Sequence, residues 1–286
     1  MRGLVVDRRS GDADGSVTGP VADGALAERA VDELAVPELL AALAAGTLRA
    51  AEPDPEAPDG WRVRPDVKAA ILAVFADRTM DSWTVGPFAF HDRANLPPVD
   101  PGPDRRIVPG GTAIRAGAYL APGVIVMPPS YVNVGAWVGA GTMVDSHVLV
   151  GSCAQIGERV HLAAGVTIGG VLEPAGARPV IVEDDAFVGA GTRLLEGVLV
   201  GAGAVIGAGV VLTGTSRLFD LVEERELVGT TDRPLVVPPG AVVVPGSRPA
   251  SGRWAQARGL SIATALIVKR RDPGTDARLA LESALR

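Results

Sequence analysis

Residues 134–153 read VGAWVGAGTMVDSHVLVGSC. Val138, Val144 and Val150 lie six residues apart, with Gly139 and Gly151 one place after a valine and Gly135 and Gly141 three places before the next. Outward from this stretch, an aliphatic residue recurs every sixth position at Val108, Ile114, Leu120, Val126, Val132, Val138, Val144, Val150, Ile156, Leu162 and Ile168. After a break the series resumes at Val182, Val188, Leu194, Val200, Ile206, Leu212 and Leu218, 18 hexads in all. An α-helix turns about 600° over six residues, so its apolar position would drift. A plain strand has period two and no use for a glycine every sixth place. The hexad is the signature of a parallel β-helix, in which each hexad is one short strand plus a corner and three hexads make one triangular coil. Glycine stands three places after the aliphatic in ten hexads, from Gly111 to Gly209, as corners with positive φ require. About six coils at roughly 4.8 Å each predict a prism about 29 Å tall.

Composition agrees with that core. The 286 residues are 47% hydrophobic but only 4% aromatic, with 36 glycines and 23 prolines, so the apolar mass is small, branched and interrupted by turns. The net charge of −6 argues against a nucleic-acid partner, and the short KRR at Lys269–Arg271 reads as a solvated run. The single cysteine, Cys153, excludes an internal disulfide. No apolar run approaches about 18 residues, so no membrane span is expected. The N-terminus does not read as a signal peptide, and a cytoplasmic protein is expected.

Three regions are predicted: an N-terminal helical domain and connector over 1–104, the β-helix over 105–269, and a C-terminal helical tail over 270–286. In the first, residues 1–23 read as a loose tail, with helices expected from about Gly24 to Leu34, in VPELLAALAAG (36–46), and in RPDVKAAILAVFADR (64–78). The latter two open on Pro37 and Pro65, the residue that suits a first helical turn. The stretch EPDPEAPDG between them reads as a turn or linker. Between Ile168 and Val182, residues 169–181 (GGVLEPAGARPVI) leave the coil as an external loop, either a binding element or a simple excursion. A second excursion follows Leu218, and the chain returns through LVVPPGAVVVPGS and SIATALIVKRR.

Two positions break the hexad. Asp145 takes a slot given to glycine at Gly139 and Gly151, and His147 a slot given to glycine at Gly135 and Gly141. A carboxylate there serves either as a corner acceptor for backbone N–H groups or as a general base or amine anchor. Arg106, ahead of the first coil, is either solvated or able to clamp a carboxylate bidentately. His147 and His161 fall in different hexad slots, so no metal site is read from them. The Gly-x-Gly steps follow from the hexad, so no dinucleotide fingerprint is read.

The segment MPPSYVNVGAWVGAGTMVDSHVLVGSCAQIGERVHLAAGVTIGGVLEPAGARPVIVEDDAFVGAG resembles the tetrahydrodipicolinate N-succinyltransferases, hexapeptide-repeat acyltransferases of lysine and diaminopimelate biosynthesis. The strings GSCAQIG, VHL, GGVLEP and VEDDAFVGA carry the likeness most strongly, and it extends from near Val36 through ALIVKRR. The resemblance implies a mainly β fold, a left-handed β-helix, and a homotrimer with active sites in clefts between neighbouring prisms. Succinyl-CoA would be the co-substrate and a dicarboxylate amine the acceptor, with no metal. It also implies carboxylate binding by Arg106 in RRIVPG and a catalytic role for Asp145 in TMVDSH. His147, His161 and Arg193 are expected to line the cleft, and Ala190, Gly207 and Ala208 the groove for the CoA arm. The chain departs from the family pattern where GARSEVVEG becomes GAGTRLLEG. Arg193 stands at the place of a catalytically important glutamate, Gly191 replaces an arginine, and Glu196 matches a different family glutamate. This leaves open a paralogous N-acyltransferase with another donor or acceptor, and a non-catalytic trimeric binding protein.

Overall fold

The computed structural model describes residues 30–272 and Thr275. The readings of residues 1–23, of a helix beginning at about Gly24 and of the C-terminal helical tail over 270–286 fall wholly or largely outside these. The start of the described chain is a 3-10 turn, Val31–Glu33.

Among the described residues, two α-helices and two hairpins precede the prism. Helix α1 (Val36–Ala44) carries proline in its first turn and buries Leu39, Leu40, Ala42 and Leu43. Strands β1 (Ala51–Pro53) and β2 (Trp61–Val63) pair antiparallel, so EPDPEAPDG closes a hairpin. Helix α2 (Pro65–Val74) buries Val67, Ile71 and Val74 along one stripe. Strands β3 (Met80–Val85) and β4 (Phe88–Arg93) form a second hairpin across Gly86 and Pro87. The N-terminal region is therefore α plus β rather than helical.

From Arg106 the chain winds a left-handed parallel β-helix of three faces. The first face stacks Arg106–Ile107, Ile125–Val126, Met143–Val144, His161–Leu162, Phe187–Val188, Val205–Ile206 and the start of Ala241–Pro249. The second stacks six strands from Ala113–Ile114 to Val211–Leu212, and the third six from Tyr119–Leu120 to Val236–Val237. In the coil strands the second residue points inward. Val126, Val144, Leu162, Val188 and Ile206 on the first face are each 0% exposed. Burial of each such side chain contributes about 1.5–3 kcal/mol, and repetition coil after coil makes the fold.

Two hexad assignments change. Ile107, not Val108, pairs with Val126, because seven residues rather than six separate it from Ile114. The extra residue sits at the corner of Gly110 and Gly111, whose φ values of 139° and 95° only glycine adopts readily. Leu218 does not continue the third face, where Val237 pairs with Val200 instead. A turn at Thr213–Ser216, in which Ser216 Oγ accepts from the Thr213 N–H at 2.8 Å, takes the chain out of the coil. Leu218 then lies in strand Arg217–Asp220, paired with Arg225–Val228 and with Ser261–Arg270 at the prism's end.

The helices dock on the corner between the second and third faces. Leu40 of α1 and Ile71 of α2 approach Gly117 and Gly135 so closely that a Cβ there would lie 2.9 and 2.7 Å from them. Residues 169–180 leave the coil at this same corner. Lys68, buried at 0% exposure, donates from Nζ to Ala177 O (2.6 Å) and Pro174 O (3.2 Å), tying the loop to α2. Among the described residues, these N-terminal elements leave the corner between the first and second faces uncovered.

Candidate active site

The corner between the first and second faces collects most of the predicted positions. One column along it runs Asp145, Ala163, Gly189 and Gly207, each directly after an inward aliphatic residue. The next runs Ser146, Ala164, Ala190 and Ala208, and the third His147, Gly165, Gly191 and Gly209. The last four have φ of 60°, 71°, 70° and 73°. His147 therefore holds the left-handed conformation that the next three coils assign to glycine, a strained setting for a side chain of its size. Ala164, Ala190, Gly191, Ala208 and Gly209 are exposed, so the corner beyond His147 is a smooth strip without bulky side chains.

Asp145 is half-buried and held on three sides. Its N–H donates to Leu162 O (2.9 Å), its carbonyl accepts from Ser130 Oγ (2.8 Å), and its Oδ1 accepts from the Ser146 N–H (2.6 Å). The local bond fixes the carboxylate's direction and leaves Oδ2 available. Ser130 also accepts from the buried Val148 N–H at 3.1 Å, so one hydroxyl bridges two coils behind the aspartate. Thr142 does the same a face away, accepting from Val160 N–H and donating to Gly157 O. Ser130 thus positions Asp145, and the sequence carried a signal for it: Ser130, Thr142 and Thr192 all stand two places before an inward aliphatic residue. Ser130→Ala is expected to lower stability by about 1–3 kcal/mol, because the Val148 N–H loses a buried acceptor. A denaturant titration of the two proteins checks this.

Arg106 is exposed on the outer side of the first face, two coils before Asp145, roughly 10 Å along the axis. His161 lies in the same outward column one coil beyond Met143. It is only 3% exposed and stacks on Phe187, with centroids 4.9 Å apart and planes at 28°. Within the single chain it is a packed residue of the face rather than an open lining residue. Arg193 is exposed in the second face, beside Thr167 and Val211, just past the corner strip. Glu196 stands at the opposite end of that hexad with φ 53° and does not occupy the Arg193 column. Ala190, Gly207 and Ala208 lie two and three coils beyond Asp145 along the same corner. Cys153 takes no part: it is 0% exposed at the other corner, and burial, opposed by Lys68, pushes its thiol up to about 12.

A hexapeptide-repeat family of succinyl-transferases matches residues 179–214. Over 247 residues the chain is 42% identical to 2,3,4,5-tetrahydropyridine-2,6-dicarboxylate N-succinyltransferase of Idiomarina loihiensis, covering 84% of each. It is 43% identical to the protein of that name from Azoarcus sp. over 260 residues, 88% of this chain and 89% of the other. The chain belongs to the 2,3,4,5-tetrahydropyridine-2,6-dicarboxylate N-succinyltransferase family. The succinyltransferase repeat overlies part of the corner strip, from Gly189 through Gly209. Among solved structures, the acetyltransferase domain of PglB from Neisseria gonorrhoeae, in complex with acetyl coenzyme A, shares 20% identity over 50% of this chain and 52% of that one, with a TM-score of 0.30.

Proposed function

We propose that this acyltransferase moves the succinyl group of succinyl-CoA onto the amine of tetrahydropyridine dicarboxylate in lysine and diaminopimelate biosynthesis. The observation that supports it most is the gathering of Asp145, His147, Ala190, Gly207 and Ala208 on one uncovered corner, in a chain of this family. An amine attacks a thioester only when neutral, so a base must take its proton as the C–N bond forms. Asp145, with Oδ2 available, is that base. Arg106 grips an acceptor carboxylate with its guanidinium fork. The tetrahedral oxyanion is met by backbone N–H groups of the glycine-rich corner, and it collapses with loss of the CoA thiolate. The strip of Ala190, Gly207 and Ala208 admits the narrow arm of CoA because no side chain stands in its way. His147 and Arg193 border the acceptor.

A homotrimer completes the site, a second prism supplying the other wall of each cleft, and the protein works in the cytoplasm without a metal. The test is release of free thiol from succinyl-CoA in the presence of tetrahydropyridine dicarboxylate, with acetyl-CoA and other amino acids as comparison. Turnover of those comparison substrates alone would replace this reading with that of a paralogous N-acyltransferase, which the cationic Arg193 favours. Failure of every CoA ester to bind would leave a non-catalytic trimer. Arg193→Glu is expected to shift the ratio of kcat/KM between tetrahydropyridine dicarboxylate and a monocarboxylate amine by about tenfold, the worth of one charge contact near 1.4 kcal/mol. Unchanged relative rates would make Arg193 a bystander.

A further inference from the structure

A cavity of about 360 Å³ lies on the far side of the first face from Asp145, between the β1–β2 hairpin and the prism. Its lining includes Arg49, Trp61, Trp137, Glu158, Glu183 and Asp184. That volume is within the ~300–1,000 Å³ typical of small-ligand pockets. Trp137 is an outward residue of the third face, and Glu158, Glu183 and Asp184 lie at the corner between the third and first faces. None of these belongs to the corner that carries Asp145.

Some groups in the cavity are already committed. Glu183 accepts from Trp61 Nε1 (2.9 Å) through one oxygen and from the Ala202 N–H (2.9 Å) through the other. It therefore serves as a brace between hairpin and prism. The Arg49 guanidinium lies on Trp137 at 3.8 Å from its centroid and 5.5 Å from that of Trp61, and its Nε donates to Gln155 Oε1 (2.9 Å). This fixes the plane of the guanidinium while its two terminal nitrogens make no hydrogen bond to the described residues. Trp137 Nε1 is buried beneath this stack and has no hydrogen-bond partner among the described residues. Burial lowers the pKa of Arg49 to about 10 against the pull of Glu52, Tyr119 and Asp184. The free edge of this planar fork is a bidentate donor for a carboxylate. On the same lining, Asp184 Oδ2 has only a 3.9 Å approach from Arg159, while its Oδ1 accepts from the Glu158 N–H. An acceptor for an ammonium group therefore stands across from the carboxylate donors.

We infer that this cavity is a second binding site, for a free amino acid, distinct from the acyl-transfer corner. Its carboxylate is taken by the Arg49 terminal nitrogens, and its ammonium by Asp184. The inference does not rest on the identity of the reaction. Calorimetry on the intact protein, without CoA esters, tests it with alanine, glutamate and lysine, each against its decarboxylated amine and its deaminated acid. Saturable binding of at least one amino acid, at least tenfold tighter than either truncated analogue, is expected. Asp184→Asn removes the anion offered to the ammonium, and is expected to weaken that binding about fivefold or more. Arg49→Lys keeps the charge and removes the fork, with a loss of tenfold or more, while Asp145→Asn leaves it unchanged. No saturable heat with any amino acid overturns the inference, as does equal binding of alanine and propionate. Undiminished binding in Asp184→Asn and Arg49→Lys, both folded by thermal melting, also overturns it.

Discussion

Asp145→Asn is expected to lower kcat by about a hundredfold or more, the usual effect of losing a general acid–base group. The local geometry makes this substitution informative. The carboxylate Oδ1 accepts the Ser146 N–H, and an amide oxygen takes the same bond. The backbone bonds to Leu162 and Ser130 do not involve the side-chain terminus. The variant therefore keeps its corner, and its melting temperature and assembly stay at those of the parent. Only the free second oxygen changes, from an acceptor that can carry a proton away to a donor that cannot. A loss in kcat with little change in KM for succinyl-CoA is the signature of a base. A rise in KM for the amine alone would make Asp145 an anchor rather than a base. Turnover near that of the parent would remove Asp145 from the chemistry.

Much of this molecule is legible in the hexad, and the reasons for the exceptions are local. The period of six is a property of every coil, so the inward residues from Ile114 to Leu212 could be read from spacing alone. Val108 was misplaced because one added residue in the Pro109–Gly111 corner shifts the register without altering the apolar character of its neighbours. Leu218 kept the period by coincidence while the Thr213–Ser216 turn took it off the prism. The hairpin β3–β4 carries the alternation MDSWTV and FAFHDR around Gly86–Pro87, a two-residue connection that could have been read as a turn. Its side chains are largely exposed, so no buried alternate face marked it.

For the site, Asp145 and His147 were visible because they occupy slots that the repeat gives to glycine. Ser130 was hidden because its hydroxyl resembles those of Thr142 and Thr192, and only the register shows that it holds the Asp145 carbonyl. His161 looked like an open residue of the cleft. Its burial depends on its position between Met143 and Phe187 in the coils above and below, a neighbourhood separated by 18 residues on one side and by 26 across the external loop on the other. The Arg49 cavity was not legible at all, since it joins a hairpin strand to coils about a hundred residues away.

The largest loss of stability is expected from Arg178→Ala. Arg178 belongs to the excursion of residues 169–180, yet its side chain is only 6% exposed. Its Nε donates to Gly197 O (2.8 Å), and one terminal nitrogen donates to Pro234 O (2.7 Å) and Leu235 O (3.2 Å). The other terminal nitrogen is paired with Asp59 in the β1–β2 turn. A single guanidinium therefore ties four segments together: the external loop, the prism corner at Gly197, the returning chain that restores the third face, and the N-terminal hairpin. Alanine would leave the carbonyls of Gly197, Pro234 and Leu235 without this donor, and the Asp59 carboxylate without its cation. Removing one partner of a buried pair costs about 3–5 kcal/mol, because the surviving charge is left uncompensated. Asp59 is partly exposed, so water takes up some of its share, and the lower end of that range is expected for the whole substitution. Arg178→Lys keeps the charge but not the fork and should recover only part of the loss, since a lysine cannot reach Gly197, Leu235 and Asp59 together. Asp59→Asn, which removes the ion pair and leaves the carbonyl bonds, should cost clearly less than Arg178→Ala. Thermal and denaturant unfolding of the three variants separates these contributions. Equal losses for Asp59→Asn and Arg178→Ala would show that the ion pair, not the bonds to the carbonyls of the prism, holds the segments together.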